Sequence, residues 1–177
     1  VFRCILHELH TGAPAHKRMR DQCFGRAAAW LMMIDSLHKA FHPEQGAAEA
    51  RQDADFAADT RWPCSKNGWG GLIEWLRFLG CMFEFEQPPK GKKVFILDPT
   101  PFIRWSLTEI INDQGEVNAM QLLERLPKVL PFLEGGSVYR DIESCLKEEK
   151  RLERKPQTFS LGVSLALYRL REEGQIE

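Results

Sequence analysis

Apolar residues recur every three or four positions along most of this chain and every second position in one stretch, and these two periods divide it into elements. Phe2, Ile5, Leu6 and Leu9 have helical spacing, which Thr11-Gly12-Ala13-Pro14 interrupts. Phe24, Ala27, Ala28, Leu31 and Ile34, continued by Asp35 and His38, predict a long helix from about His16 to Phe41. The stretch His42–Thr60 is rich in Ala, Asp, Glu and Gln and poor in large apolar residues, so it reads as an exposed helix or a loosely packed connector. Trp69, Leu72, Ile73, Trp75, Leu76 and Leu79 cover a wide arc of the next helix, predicted to be largely buried, with Ser65 or Asn67 as its N-cap and Gly80 as its stop. Met82-Phe83-Glu84-Phe85-Glu86 then alternates apolar and acidic residues as a half-buried strand does. Pro88–Lys92 is a turn and Val94–Leu97 the returning strand.

Asp98-Pro99-Thr100-Pro101 ends the hairpin and opens a helix running to Asn112, with Thr100 as cap and Pro101 at the first helical position. Further helices are predicted over about Val117–Leu126, with Met120, Leu123 and Leu126 inward, and over Tyr139–Arg154. Between them the apolar stretch Val129–Leu133 is closed by Gly135-Gly136. The last helix takes Thr158 or Ser160 as N-cap and carries the stripe Val163, Leu167, Leu170. One unit occurs twice in this order: an apolar helix, a glycine, then β-prone sequence. Leu72–Gly80 leads into Cys81–Glu86, and Val163–Gly174 leads into Gln175–Glu177. A winged helix-turn-helix closes in this way. The chain is therefore expected to be mainly α with a small β-hairpin, built as tandem winged-helix-like units. Residues 1–60 form an N-terminal helical segment, 61–100 a helix plus hairpin closing a first unit, and 101–177 a second helical unit.

Charge narrows the functional classes. The 177 residues carry 24 basic and 25 acidic side chains, net −1. Basic and acidic counts are seven and eight over 1–60, nine and nine over 61–136, and eight and eight over 137–177, so no segment has the basic excess that drives phosphate contact. Nucleic-acid binding would have to come from local clusters. Three are candidates: Arg18 and Arg20, with Lys17 and Arg26, at the start of the long helix; Lys90, Lys92 and Lys93 at the hairpin tip; and Arg169 and Arg171 beside Tyr168 on the last helix. Each has a plain alternative as a solvated basic surface, and winged helices also bind proteins. Arg151, Arg154 and Lys155 at the end of a charge-laced helix complement its dipole. The hydrophobic share of 44% supports a core, and no apolar run is long enough to span a bilayer. Five scattered cysteines (Cys4, Cys23, Cys64, Cys81 and Cys145) without a CxxC fit reduced thiols in a cytoplasmic protein. A chain beginning at Val1 is read as a fragment, or as a longer chain with parts removed.

Motifs for catalysis or metal binding are weak. His38 and His42 stand at i, i+4 and His7 and His10 at i, i+3, with Cys23 and Cys64 as further ligands, but no matching pair completes a zinc site and the histidines read as helix-surface residues. There is no GxxxxGK[ST], GxSxG or HExxH. Gly68-Trp69-Gly70-Gly71 lacks a preceding strand and a following lysine, and reads as a helix start that lets Trp69 pack tightly. Cys64, beside Pro63 and Lys66, is either a reactive thiol or an inert one. No catalytic residue, metal or cofactor is assigned.

Asn67-Gly68-Trp69-Gly70-Gly71-Leu72-Ile73-Glu74-Trp75-Leu76-Arg77-Phe78-Leu79-Gly80, the later Asp98-Pro99-Thr100 and the closing Leu165–Ile176 give the chain its likeness to a family. On these it resembles DpdG-like proteins of bacterial DNA-modification and defence islands over residues 67–177, with the first 60 residues outside the resemblance. The resemblance implies a cytoplasmic accessory subunit working with a larger nuclease, helicase or ATPase. Together with the basic clusters, it gives the expectation of a non-catalytic DNA-contacting or scaffold subunit in an antiviral defence or DNA-processing complex, with double-stranded DNA as a further partner. One alternative is a protein–protein adaptor without DNA affinity, and another is a small metal-dependent enzyme.

Overall fold

Trp30 lies where three helical segments meet, and its surroundings account for much of the arrangement. The computed structural model describes residues 22–34, 47–57, 68–87, 92–111, 116–151 and 158–177. Among them are α1 (Gln22–Met33), α2 (Ala47–Asp55), α3 (Gly68–Phe78), β1 (Met82–Gln87), β2 (Lys92–Leu97), α4 (Thr100–Ile111), α5 (Ala119–Val129), α6 (Ser137–Cys145) and α7 (Leu161–Glu172), with a 3-10 turn at Glu148–Lys150. The described residues are thus mainly helical, with one two-stranded antiparallel sheet.

Three consecutive alanines of α1, Ala27, Ala28 and Ala29, are fully buried, and α1 packs closely against α6. Small side chains on a buried helix let neighbouring backbones approach closely. The buried Trp30 ring lies 6.0 Å from Phe56 and 5.4 Å from Trp69, and its Nε1–H donates to Asp55 Oδ2 at 3.2 Å. Arg51 Nε donates to the same oxygen at 2.9 Å, so the buried carboxylate has an i, i+4 counter-ion on its own helix.

This packing corrects the reading of the region around α2. Ala48, Gln52, Asp55 and Phe56 are buried, so these residues are neither an exposed helix nor a loose connector. The large apolar anchor is Phe56, just past the helix end. The same contact shortens the predicted Tyr139–Arg154 helix. Leu146 leaves α6 to form a β-bridge with Phe56, Ala57 N–H donates to Cys145 O at 3.2 Å and Lys147 N–H donates to Asp55 O at 2.9 Å. Tertiary pairing of the backbone here overrides the local charge-laced pattern.

The hairpin register runs from Met82↔Leu97 to Gln87↔Lys92. Met82, Glu84, Phe95 and Leu97 share the face turned to the core, which leaves Phe83 and Phe85 exposed. The period of two was legible, but the inward face is the acidic one on β1. Glu84 tolerates that position because Lys93 and Arg77 pair with it. In α3, Trp69, Leu72, Ile73 and Leu76 are buried as predicted, whereas Trp75 and Phe78 are 50% and 79% exposed, which overturns the expectation of a largely buried helix. The wide apolar arc is only half covered. Gly70 and Gly71 lie on the uncovered side, where a Cβ would meet nothing within 4 Å.

The α4 start differs in its cap: Asp98, not Thr100, caps the first turn, with Thr100 N–H and Oγ1–H donating to Asp98 Oδ1 at 3.0 and 2.6 Å. Asn118 and Gln121 form a reciprocal capping box at α5, which continues through Pro127 to Val129, past the predicted end at Leu126. On α5 Leu126 is buried while Met120 is exposed. Gly136 before α6 is sterically required, since a Cβ there would lie 2.2 Å from Pro131 O. Ser160 caps α7, one of the two predicted alternatives.

Both copies of the repeated unit end their helix in the same way. Gly80 N–H donates to Arg77 O at 2.9 Å and Cys81 N–H to Leu76 O at 2.8 Å; Gly174 N–H donates to Arg171 O at 2.9 Å and Gln175 N–H to Leu170 O at 2.8 Å. With φ of 67° and 68° at the two glycines, these are two Schellman motifs of the same geometry. The copies then diverge. The first enters β1, while Gln175–Glu177 forms no strand, because β1 and β2 pair only with each other among the described residues. Gly80→Ala and Gly174→Ala are each expected to lower unfolding free energy by about 1 kcal/mol in urea titrations, since alanine is strained at positive φ. Gly70→Ala, at an open helical position, is expected to leave it unchanged or raise it by up to about 1 kcal/mol.

Candidate interaction surface

The two basic residues on α7 that the sequence nominated stand in different situations. Arg169 Nη1 donates to Asp98 Oδ2 at 2.6 Å, and its guanidinium carbon lies 5.4 Å from the centroid of the Phe83 ring. Asp98 is buried, and its backbone N–H donates to Cys81 O at 2.8 Å. One residue thus caps α4 with one carboxylate oxygen, receives Arg169 with the other and closes the base of the hairpin through its backbone. Arg104 Nη2 donates to Glu173 Oε1 at 2.7 Å and gives α7 a second charged tie to α4. Arg171 is exposed and has no ion-pair partner among the described residues.

Lys93 is paired with Glu84 Oε1 at 2.6 Å, and Arg77 Nη2 lies 2.8 Å from Glu84 Oε2. Lys92 stands opposite Gln87 at the end of the sheet. Arg18, Arg20 and Lys90, like His7, His10, His38, His42 and Cys64, lie outside the described residues. Arg26 is ion-paired with Asp141 on α6.

Other cations serve as helix C-caps, a role the sequence reading missed for two of them. Arg125 Nη1 donates to Ile110 O at 3.1 Å at the end of α4, and Lys147 Nζ donates to Asp53 O and Ala54 O at 2.9 and 3.0 Å at the end of α2. Arg151 Nη2 donates to Ser144 O at 3.0 Å at the end of α6. The dipole-complementing role foreseen for Arg151 is present, directed at a helix that ends earlier than expected. Lys128, Arg140, Lys150 and Arg171 are exposed and unpaired among the described residues.

The outer surface carries large apolar groups instead. Trp75 and Phe78 form an edge-to-face pair on α3, with centroids 5.9 Å apart at 88°. Leu161, Leu165 and Tyr168 are exposed at i, i+4 and i+7 on α7, opposite the buried Val163, Ala166 and Leu170. The α7 sequence therefore has two apolar stripes, and the sequence reading named only the inner one. A cleft of about 890 Å³ between α5, the 130–137 turn and α6 has Met120, Leu123, Pro127 and Phe159 in its lining beside charges of both signs. Lys128 and Arg140 face it together with Glu124 and Glu143, so it offers no field of one sign to a charged ligand. Among the described residues no three His, Cys, Asp or Glu side chains are placed to share a metal ion, and no helix is long and apolar enough to cross a membrane.

Among the described residues two ionisable groups are shifted. The Cys81 thiol is pushed up by burial and further by the neighbouring Asp98 charge, which makes it a poor nucleophile. The hydrogen bond from Lys93 and the charges of Arg77 and Lys93 hold the Glu84 carboxyl below the ordinary carboxylate range, outweighing its partial desolvation. A carboxyl whose folded pKa is depressed stabilises the fold fully above its unfolded pKa and loses that contribution as pH falls through the folded value. Unfolding free energy is accordingly expected to decline below about pH 4, and Glu84→Gln to flatten that part of the profile in urea titrations at stepped pH.

The model of the DpdG-like family matches residues 1–177, the whole chain, so the likeness includes the first 60 residues that the sequence reading had left outside it. No curated protein and no solved structure matches the chain.

Proposed function

This chain belongs to the DpdG-like family, and from that premise we propose that it is a non-catalytic scaffold subunit of a bacterial DNA-modification system, docking a larger protein through an exposed apolar surface. The observation that carries this reading is the outer stripe of α7, where Leu161, Leu165 and Tyr168 face outward while Arg169 beside them turns onto Asp98. A surface that reads phosphates presents free cations. Among the described residues Arg26, Arg77, Lys93, Arg104 and Arg169 are in ion pairs, Arg125, Lys147 and Arg151 hold helix ends, and the exposed unpaired Lys128, Arg140, Lys150 and Arg171 are scattered over α5, α6, the 3-10 turn and α7. Apolar groups arranged along one helix face suit a protein groove or helix, with Tyr168 as the aromatic anchor. The partner class is the nuclease, helicase or ATPase that the family resemblance implies, in the cytoplasm. Membership of the family supports a role beside DNA chemistry, and the side-chain arrangement favours a role through protein contact.

The test is co-purification of tagged full-length chain from the native cell, with quantitative mass spectrometry of retained proteins. Wild type is expected to retain one such larger protein in near-stoichiometric amount, and Leu165→Glu with Tyr168→Glu to lower its recovery at least about tenfold, or about 1.4 kcal/mol, without loss of helical circular dichroism. Unchanged recovery contradicts the reading. So does tight binding of duplex DNA by the isolated chain with affinity falling steeply as salt rises, which instead makes it a DNA-contacting subunit.

A further inference from the structure

We propose that Asp98 and Arg169 together act as positioning residues for the α7 docking surface. The pair sets the direction in which α7 turns Leu165 and Tyr168, and so governs how tightly the larger protein is held. This rests on the scaffold reading and deepens it, giving two residues outside the apolar stripe a part in partner binding.

The inner stripe of α7 holds the helix down but does little to fix its rotation. Val163, Ala166 and Leu170 are buried, yet valine and alanine are short and none of the three side chains makes a directional bond. Polar ties supply the direction instead. Ser160 N–H donates to Glu134 Oε2 at 2.7 Å at the start of α7, and Arg104 Nη2 donates to Glu173 Oε1 at 2.7 Å just past its end. Between them Arg169 reaches from the helix to the buried Asp98, donating to Oδ2 at 2.6 Å, while its guanidinium carbon lies 5.4 Å from the Phe83 ring centroid. A planar guanidinium that donates along its edge and rests its face on a ring is fixed in two directions at once.

Helix geometry carries that constraint to the partner surface. Around the axis Arg169 lies about 100° from its neighbour Tyr168 and about 40° from Leu165, four positions earlier. With Leu170 turned into the core and Arg169 held sideways on Asp98, Leu165 and Tyr168 are left pointing outward, at 37% and 57% exposure. Asp98 is fixed in turn by its backbone bond to Cys81 and by the donors of Thr100. The direction of the stripe is therefore set by the hairpin base and the start of α4, not by α7 itself. Freed of the tie, α7 keeps its inner stripe but samples a range of rotations. A partner then binds only the fraction that presents the stripe outward, and its apparent affinity falls by that fraction.

The larger protein that the wild-type chain retains, purified and titrated against variants of the full chain, tests this. Arg169→Met keeps the aliphatic stem and removes the charge, while Asp98→Asn keeps an acceptor for Thr100 and turns a donor toward Arg169. Each is expected to weaken binding roughly three- to fivefold, the scale of a part-exposed ion pair. The double variant is expected to weaken it no more than either alone, since both break one tie. Arg169→Lys restores the charge without the planar stack and is expected to recover part of the loss. Asn118→Ala removes the distant α5 capping box, so it is expected to melt lower yet bind as wild type does, which separates positioning from loss of stability. Weakening by Arg169→Met but not by Asp98→Asn makes Arg169 a direct contact and overturns the proposal. So does equal weakening by Asn118→Ala, or wild-type affinity in both single variants. If Leu165→Glu with Tyr168→Glu abolishes binding while Asp98→Asn and Arg169→Met leave it intact, the scaffold reading stands and the positioning role alone falls. If wild type retains no larger protein, or that glutamate pair has no effect, the scaffold reading falls and the positioning role with it.

Discussion

The Asp98 carboxylate divides its two oxygens between elements far apart in sequence. Oδ1 receives the Thr100 N–H and hydroxyl and so starts α4, while Oδ2 receives Arg169 and so anchors α7. Its backbone N–H closes the hairpin onto Cys81, one residue past the Gly80 turn that ends α3. Four elements therefore take their relative placement from one residue. The cost of burying a carboxylate is offset because each oxygen has a donor, one of them charged. Burial of Cys81 and its raised pKa follow from the same arrangement, with a thiol held against the hairpin base beside a fixed negative charge.

That arrangement bears on function through the fate of the cations. A near-neutral chain has few basic side chains to spare, and most of those among the described residues are placed at internal tasks: Arg169 on Asp98, Arg104 on Glu173, Lys93 and Arg77 on Glu84, and Lys147, Arg125 and Arg151 on helix ends. The outward-facing apolar groups, among them Trp75, Phe78, Leu161, Leu165 and Tyr168, then share the described surface with four scattered unpaired cations, Lys128, Arg140, Lys150 and Arg171. The proposed scaffold role rests on the same side-chain distribution that stabilises the fold.

Much of the architecture was legible in the sequence because it is written in local terms. Helical spacing, the hairpin alternation and the glycine stops depend on neighbours within a turn or two, and the buried Trp69, Leu72, Ile73 and Leu76 follow from that spacing. What stayed hidden depends on distant partners. The break at Leu146 needs Phe56, ninety positions earlier, to form its bridge. Exposure of Trp75 and Phe78 depends on how much of a wide apolar arc the rest of the chain covers, which no periodicity records. Arg169 reads as a surface cation until Asp98 is brought beside it. The inward choice of Glu84 over Phe83 and Phe85 depends in the same way on Arg77 and Lys93 arriving from two other elements.

The claim that Asp98 ties Arg169 into the fold is tested most directly by a double-mutant cycle on the two residues, measured by urea unfolding at low ionic strength. The pair is part-buried, with the two side chains 10% and 41% exposed, so a coupling energy of about 1 kcal/mol is expected for Asp98→Ala and Arg169→Ala. Additivity of the two substitutions within about 0.3 kcal/mol would contradict it and return Arg169 to the surface as a free cation.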